Sequence, residues 1–384
     1  MGMPTHLSPG DIEEFGREMD AIRNEVMQSR GERDRQYILN MIRVQRSMAL
    51  LGRIIIFLSL IVSPLGELGF ESWFGFSLVV LLGAGLLGVA KIIENMEIGH
   101  NVMHAQWDWM RDPNIQSNTW EWDNVCPSDQ WKHSHNVVHH TWTNVFGKDP
   151  DIGYGVLRVS DQQKWHPKYL ANPVLNFFVM MFFQWGVAVH DLELEKLLEG
   201  KKPGPNFKPM VDRIMWKVKR QLLKDYVLWP ALGAAFTLPV TLVLGLSILP
   251  IAFYAFLTVA VGNLIANGIR NVWSNMIIFC GHFPEGVHHF TKEEVEGETR
   301  AHWYVRQLLG SCNIGGGSLF HILSGNLSHQ IEHHLFPDMP SNRYPEVAPR
   351  VQALAQRYNL PYNTGTFRRQ FGTTTSKIWR LALP

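Results

Sequence analysis

Residues 226–269 read YVLWPALGAAFTLPVTLVLGLSILPIAFYAFLTVAVGNLIANGI and contain no Asp, Glu, Lys or Arg. One helical crossing of a bilayer takes about 20 apolar residues, so this stretch is long enough for two, with Pro250 as the candidate turn. Residues 72–90 are also free of charge, and residues 48–65 carry only Arg53. The sequence therefore predicts a mainly α-helical integral membrane protein. Its four transmembrane helices form two hairpins, at about residues 48–66, 72–91, 227–248 and 251–269.

Basic residues flank both predicted hairpins at the same end. Arg46 and Lys91 flank the first hairpin, and Lys224 and Arg270 flank the second, whereas the connection at residues 66–71 carries two acids and no base. The positive-inside rule then places both termini in the cytosol of a multi-pass cell membrane protein. The division that follows is a cytosolic N-terminal helical segment (residues 1–47), a membrane domain (48–345) and a cytosolic C-terminal segment (346–384).

Three histidine boxes lie outside the predicted spans. Residues 100–104 have the spacing H-x-x-x-H, and residues 135–140 and 329–334 both have the spacing H-x-x-x-H-H. Positions i and i+4 of a helix lie on one face, so each box directs at least two imidazoles to one point. Sets of imidazoles favour iron, copper, zinc or nickel over calcium and magnesium. If the boxes meet, the sequence predicts a site for two metal ions just outside the bilayer.

Whether the three boxes can meet depends on the uncharged segment at residues 169–190. A crossing there would put the third box on the opposite side of the membrane from the other two. Because the boxes must meet to bind metal, we interpret this segment as an interfacial or re-entrant helix, with a fifth crossing as the alternative.

Composition excludes several other functions. The net charge is +1, from 35 basic and 34 acidic residues, which is not typical of a nucleic-acid-binding protein. The three cysteines are too few for a four-thiolate iron–sulfur cluster. The pattern Gly83-x-Gly85-x-x-Gly88 lies inside an apolar span with no strand before it, so it predicts close helix packing and no dinucleotide site.

The boxes and their neighbours resemble those of the membrane fatty acid desaturase family. The resemblance covers roughly residues 50–345. It is carried by QIEHHLFP (330–337), KIIENMEIGHNVMH (91–104) and NVWSN (271–275), and is closest to bacterial acyl-CoA Δ9 desaturases of the stearoyl-CoA type. It implies four transmembrane helices beneath a cytosolic helical cap that carries a histidine-rich di-iron centre. The implied activity is insertion of a cis double bond into a saturated fatty acyl-CoA.

Carried over position by position, the resemblance implies a set of metal ligands. They are His100, His104, His135, His139, His140, His282, His329, His333 and His334. His329 is preferred to Gln330 because imidazole is the better iron ligand, and Gln330 remains the alternative. His321 is the alternative to His282. Acids that could orient the imidazoles are Glu94, Glu97, Asp149, Asp151 and Glu332.

The implied cofactors are two iron ions, with O₂ as co-substrate. The chain shows no nicotinamide site of its own, so NADPH would act only through a separate ferredoxin or flavoprotein reductase. The basic residues Lys201, Lys202, Lys208, Lys217 and Lys219 could dock this reductase or the CoA phosphates, although positive-inside charge explains them as simply. The other expected partners are an acyl-CoA, or a lipid-bound acyl chain, and the bilayer. We expect no nucleic acid partner.

Three other functions stay open. An acyl-lipid or front-end desaturase would carry the same third box, and a fatty acid or alkane hydroxylase would share the metal centre. A metal transporter would need ligands inside the membrane, yet residues 72–90 and 226–269 contain no histidine. That absence argues against transport.

Overall fold

The computed structural model describes residues 6–62, 72–190, 192, 204 and 206–384. The longer α-helices are Pro9–Gln28, Glu32–Ser59, Trp73–Ile92, Asn172–Met181, Phe183–His190, Phe207–Leu223, Trp229–Val243, Ile248–His282, Arg300–Leu309, Tyr344–Arg357 and Phe367–Arg380. Short α-helices are Asn101–Met103, Ser128–Trp131, His140–Trp142, Ser318–Leu323 and Gln330–Leu335. Three segments are π-helical: Ile93–His100, Lys132–His139 and Lys224–Leu228. The predicted connection at 66–71, together with Lys201 and Lys202, lies outside the described residues.

Among the described residues, three helices are long and apolar enough to cross a membrane: Trp73–Met103, Phe207–Val243 and Ile248–His282. The count becomes four if Pro167–Met181 and Phe183–His190, which bend by 96° at Phe182, form one span. That bend is the geometry of a broken span or a re-entrant loop. The first predicted span, residues 48–66, is helical over its described part, residues 48–62, and the rest of it lies outside the described residues.

The helix Glu32–Ser59 packs closely along Trp73–Ile92. A Cβ atom on Gly83 would lie 2.9 Å from the backbone oxygen of Gly52 and 2.8 Å from Cγ1 of Ile56. Two glycines thus let the helix backbones approach each other, as the small-residue pattern predicts. Gly85 faces open space, so only part of the pattern serves packing.

The second predicted hairpin is present, but the prediction of a turn at Pro250 is wrong. The chain turns at residues 244–247, where Gly245 has a φ of +66°. Pro250 lies in the first turn of the next helix, where its missing N–H has no intrahelical partner to lose. This helix then continues past the predicted end at residue 269 as far as His282.

The N-terminal helix Pro9–Gln28 packs against the helices Arg300–Leu309 and Tyr344–Arg357. Phe15 and Met19 of the N-terminal helix Pro9–Gln28 are fully buried against Tyr304 and Val351. The helix Tyr344–Arg357 follows the third histidine box. No pattern in the sequence predicted the parallel strand pair Asn313–Gly315 and Thr364–Thr366, or the last helix, Phe367–Arg380.

Candidate metal centre

The three boxes converge on two adjacent sets of histidines. Ligand nitrogens of His100, His104, His135 and His333 lie within 4.8 Å of one another, and so do those of His139, His282 and His334. His140 joins the sets, because it also groups with His333 and His334. All eight rings are buried except that of His135, which is partly exposed. The structure therefore brings together eight of the nine histidines in the predicted ligand set.

Continuous helices deliver the first of these side chains. The helical segment Trp73–Met103 runs from its apolar part directly into the first box, and Ile248–His282 ends on His282. The second box lies on the π-helical segment Lys132–His139, in which the N–H of His140 bonds to the carbonyl of His135. π-Helical turns occur frequently at functional sites.

Distances between imidazole nitrogens fit shared metal ions. Nε2 of His100 lies 3.3 Å from Nε2 of His135, and Nε2 of His282 lies 3.3 Å from Nε2 of His334. Two nitrogens that each lie about 2.1 Å from one ion are this far apart when they subtend roughly 100° at it. Nε2 of His104, both ring nitrogens of His140 and Nε2 of His333 have no hydrogen-bond partner among the described residues. Buried nitrogens in this state are expected to bind something that the chain itself does not supply.

The nitrogens that face away from the cluster are held by other side chains. Asp149 accepts from Nδ1 of His139 at 3.0 and 3.1 Å, and Oε1 of Gln307 accepts from Nδ1 of His334 at 3.0 Å. Oδ1 of Asn101 lies 3.0 Å from Nδ1 of His100. This is the usual arrangement of metal-binding histidines, in which the outer N–H is fixed so that the inner nitrogen faces the ion.

Burial sets the charge state of most of these rings. Desolvation, reinforced by neighbouring imidazoles, holds the pKa of His104, His140, His333 and His334 well below the ordinary value. They are therefore neutral, which is the form that binds metal. At His139 burial also lowers the pKa, but Asp149 and Asp151 outweigh it and raise the pKa to about 9. The two carboxylates thus give the cluster its main negative charge.

The predicted acids differ in where they lie. Asp149 contacts His139, and Asp151 lies 2.9 Å from His190 and 3.5 Å from His139. Glu97 instead accepts from Tyr37, Asn326 and Ser341, and Glu332 accepts from Asn313 and Tyr362. Glu94 accepts from Asn95 and the backbone of Asp123. These three glutamates join helices and loops, and none hydrogen-bonds an imidazole in the described part of the chain, although Oε2 of Glu332 lies 3.9 Å from Nδ1 of His329.

The structure does not bring His329 to the cluster, contrary to the sequence expectation. His329 precedes the helix Gln330–Leu335 with a non-helical ψ of 56°, so the i, i+4 argument does not apply to it. Its ring stacks on His321 at 4.6 Å, and neither ring belongs to the two sets. Gln330 lies at the site, with Nε2 at 2.9 Å from Nε2 of His282. Gly281 permits this contact, because a Cβ there would lie 2.8 Å from Cγ of Gln330.

Sequence reasoning missed the uncharged residues that orient the rings. Gln307 and Thr143 contact Nδ1 of His334, and the hydroxyl of Tyr344 lies 3.3 Å from Nδ1 of His333. Asn101, within the first box, was also missed. Only its position beside His100 could have indicated its role.

A cavity borders the cluster at His100, His135, His139 and His282. Trp131, Phe183 and Ile278 provide apolar walls, and the cavity extends to Arg270 and Asn271. Cavities with mostly apolar walls and a few polar groups are typical of sites for small-molecule ligands.

Of the basic residues considered for docking, Lys217 is engaged elsewhere. Its side chain is 7% exposed and binds Glu121 and the carbonyl of Trp122. Lys208 is 88% exposed and remains accessible.

Comparison with known proteins agrees with this geometry. The fatty acid desaturase family profile matches residues 71–366. A Mycobacterium tuberculosis protein named NADPH-dependent stearoyl-CoA 9-desaturase is 46% identical over 99% of this chain and 82% of its own length. A Synechocystis protein named sn-1 linoleoyl-lipid 6-desaturase is 26% identical over 74% of this chain and 75% of its own length. The chain belongs to the fatty acid desaturase family, whose members introduce double bonds into acyl chains.

Proposed function

We propose that the protein is a di-iron membrane desaturase that introduces a cis double bond at carbon 9 of a saturated acyl-CoA of the stearoyl or palmitoyl type. The observation that carries this proposal is the convergence of three distant boxes and His282 beside a cavity with apolar walls. The mycobacterial relative, whose name specifies stearoyl-CoA and position 9, supports the choice of substrate and bond.

The residues present fit two iron ions. One ion would be held by His100, His104, His135 and His333, and the other by His139, His282 and His334, with His140 between them. Neutral imidazoles suit iron, and unpartnered buried nitrogens face the space between the rings. When bound, the irons would supply O₂ activation and removal of hydrogen from an unactivated methylene, which no side chain can perform.

The chain's own residues position the reactants. Asp149 and Gln307 fix the orientation of His139 and His334, so that the cluster is preorganised. Trp131, Phe183 and Ile278 hold the acyl chain against the cluster and exclude water from the reacting carbons.

Electrons would come from a separate reductase. Desaturation by O₂ needs two electrons per turnover, and we assign NADPH to the partner, in keeping with the name of the mycobacterial relative. We place the termini and the metal centre on the cytosolic side, where the reductase and acyl-CoA are available, because basic residues flank the predicted spans at that end. We retain the division into segments 1–47, 48–345 and 346–384 as part of this proposal.

Expression in a host that lacks unsaturated fatty acids tests the proposal. Mass spectrometry should find Δ9 products with wild-type protein and none with His139→Ala or His333→Ala. Hydroxy acids in place of alkenes would replace desaturation with hydroxylation. Purified protein with its reductase should act on stearoyl-CoA. Activity on stearoyl phospholipid alone would favour the acyl-lipid alternative, which the Synechocystis relative represents.

A further inference from the structure

Asp151 lies between two of the clustered histidines and one histidine outside the cluster. Its Oδ1 accepts a hydrogen bond from Nε2 of His190 at 2.9 Å. Its Oδ2 lies 3.5 Å from Nδ1 of His139 and 3.9 Å from Nδ1 of His135. His139 already donates to Asp149 at 3.0 Å, so the second oxygen of Asp151 is left for His135.

The contact between Asp151 and His135 is longer than the other contacts that orient rings of the cluster. Nδ1 of His100 and Nδ1 of His334 each have an acceptor at 3.0 Å. In the described part of the chain, Nδ1 of His135 makes no hydrogen bond. An N–H···O hydrogen bond is about 2.9 Å long, so a movement of about 1 Å by the carboxylate decides whether His135 is held. The orientation of this ring therefore depends on where Asp151 is fixed.

His190 fixes that carboxylate from the wall of the cavity. It is the last residue of the helix Phe183–His190, its side chain is 11% exposed, and it lines the cavity that borders the cluster. Phe183 and Val187 of the same helix also line this cavity. A ligand that packs on this wall therefore restrains His190 and, through the hydrogen bond, Asp151.

A turn with an unusual backbone conformation places Tyr154 against His190. Tyr154 has a φ of +52°, and the glycines before and after it have φ values of +63° and +69°. A side chain is disfavoured in this left-handed region, and residues held there against that preference are frequent at functional sites. The centre of the Tyr154 ring lies 5.1 Å from that of His190 and 5.6 Å from that of Phe183. His190 is therefore held to the loop of Asp151 by a ring contact as well as by a hydrogen bond.

We propose that His190 is a positioning residue of the metal centre. It holds Asp151 against His135, so an acyl chain that packs on Phe183 and Val187 strengthens iron binding by the set that contains His135. Coupling between two binding sites is reciprocal, and iron therefore strengthens the binding of the acyl-CoA by the same factor. This inference rests on the proposed function, which supplies the acyl-CoA and the iron.

Titration of the protein with Fe²⁺, in the absence of O₂ and reductant, tests the coupling when it is done with and without saturating stearoyl-CoA. Stearoyl-CoA should raise the iron affinity of wild-type protein about 5- to 150-fold, the usual range for coupled sites. His190→Ala should remove this increase. His190→Gln should keep most of it, because the amide of Gln replaces Nε2 of His190 as the donor to Asp151. An increase that is absent in wild type, or unchanged in His190→Ala, overturns the inference.

His302→Ala is the matched control. The ring of His302 also bonds an oxygen, the hydroxyl of Thr299 at 2.8 Å, but it is not among the described residues that line the cavity. This variant should keep the full increase.

A double variant tests whether His190 acts through Asp151. Asp151→Asn should lose the increase, because an amide offers an acceptor to only one of the two histidines that its carboxylate faces. Combining it with His190→Ala should have no further effect, since the two residues act through one contact. Additive losses of iron affinity would mean that His190 acts elsewhere, and the inference would be wrong.

Stearoyl-CoA binding to the iron-free protein separates positioning from direct contact with the substrate. Wild type and His190→Ala should bind stearoyl-CoA equally without iron, and only wild type should bind it more tightly with iron. Equal weakening with and without iron would mean that His190 contacts the acyl chain alone, which overturns the inference. If thermal unfolding without iron shows that His190→Ala does not fold, His190→Asn, whose shorter side chain does not reach Asp151, takes its place. Wild-type protein that does not bind stearoyl-CoA at all would instead refute the proposed substrate, and the inference with it.

Discussion

Among variants that replace an acid near the cluster with the corresponding amide, Asp149→Asn should weaken iron binding most. The Asp149 carboxylate is fully buried and accepts from Nδ1 of His139 with both oxygens. One oxygen also accepts from the backbone N–H of Asn144 at 2.8 Å, and the other from that of Asp151 at 3.0 Å. Whichever oxygen becomes an amide, its NH₂ group faces a backbone donor. The variant must therefore break a hydrogen bond as well as lose the charge.

The expected magnitude follows from these contacts. A hydrogen bond to a charged group contributes about 1.5–3 kcal/mol, which corresponds to roughly 10- to 150-fold in an equilibrium constant. Changes to residues that hold metal-binding histidines typically reduce metal affinity about 10- to 100-fold. We expect Asp149→Asn to lie in this range, because His139 would no longer be held in one orientation.

The assay is an iron titration of purified apoprotein with bound iron measured per chain, alongside thermal unfolding without iron. Asp112→Asn is the control, because Asp112 accepts only from Asn114, in the loop between the first two boxes. It should bind iron like the wild type. If folded Asp149→Asn also bound iron with wild-type affinity, Asp149 would not orient His139 as a ligand. The interpretation of His139, His282 and His334 as a set held in place by Asp149 would then be wrong.

Four further outcomes are expected. Arg343→Met should lower the free energy of unfolding, measured with denaturant, by about 3–5 kcal/mol, because it leaves buried Asp34 without its ion-pair partner. Arg350→Met breaks an exposed pair with Glu25 and should lower it by at most about 1 kcal/mol. Burial alone would raise the pKa of Asp34, but bonds from Arg343 and Asn342 hold it below the usual value. The stability from this pair, measured against Arg343→Met, should therefore be present above about pH 4 and disappear as the pH falls further. Gly83→Ala should lower the unfolding temperature, since overpacking costs about 1–3 kcal/mol, and Gly85→Ala, which meets open space, should not. His329→Ala should keep its iron and activity while His333→Ala loses both, and equal losses would mean that His329 reaches the cluster.

The sequence predicted those features whose signals are local. Uncharged stretches mark the long helices, and box spacing marks seven of the eight clustered histidines, because each signal needs only a window of neighbouring residues. His282 lies in no box and was assigned from the family resemblance. Gln307 and Tyr344 could not be predicted as partners of His334 and His333, since they come from other helices and carry no distinctive motif. The prediction that His329 is a metal ligand was wrong because it assumed that His329 lies within the helix. The helix begins only at Gln330, and this start depends on where the chain turns after residue 325. The turn near Pro250 was misplaced because proline suits both a turn and the first turn of a helix.

The π-helical segment explains the one departure of the second box from the family resemblance. The commoner spacing there is H-x-x-H-H, whose offsets of three and four residues lie either side of one α-helical turn of 3.6 residues. This chain has H-x-x-x-H-H, with offsets of four and five. In a π-helix, which bonds each N–H to the carbonyl five residues earlier, one turn takes about 4.4 residues, so offsets of four and five lie either side of it. The bond from His140 to the carbonyl of His135 closes that wider turn. Despite the extra residue, His135 therefore lies one turn from His139 and His140 on the same face of the helix. All three imidazoles still face the cluster.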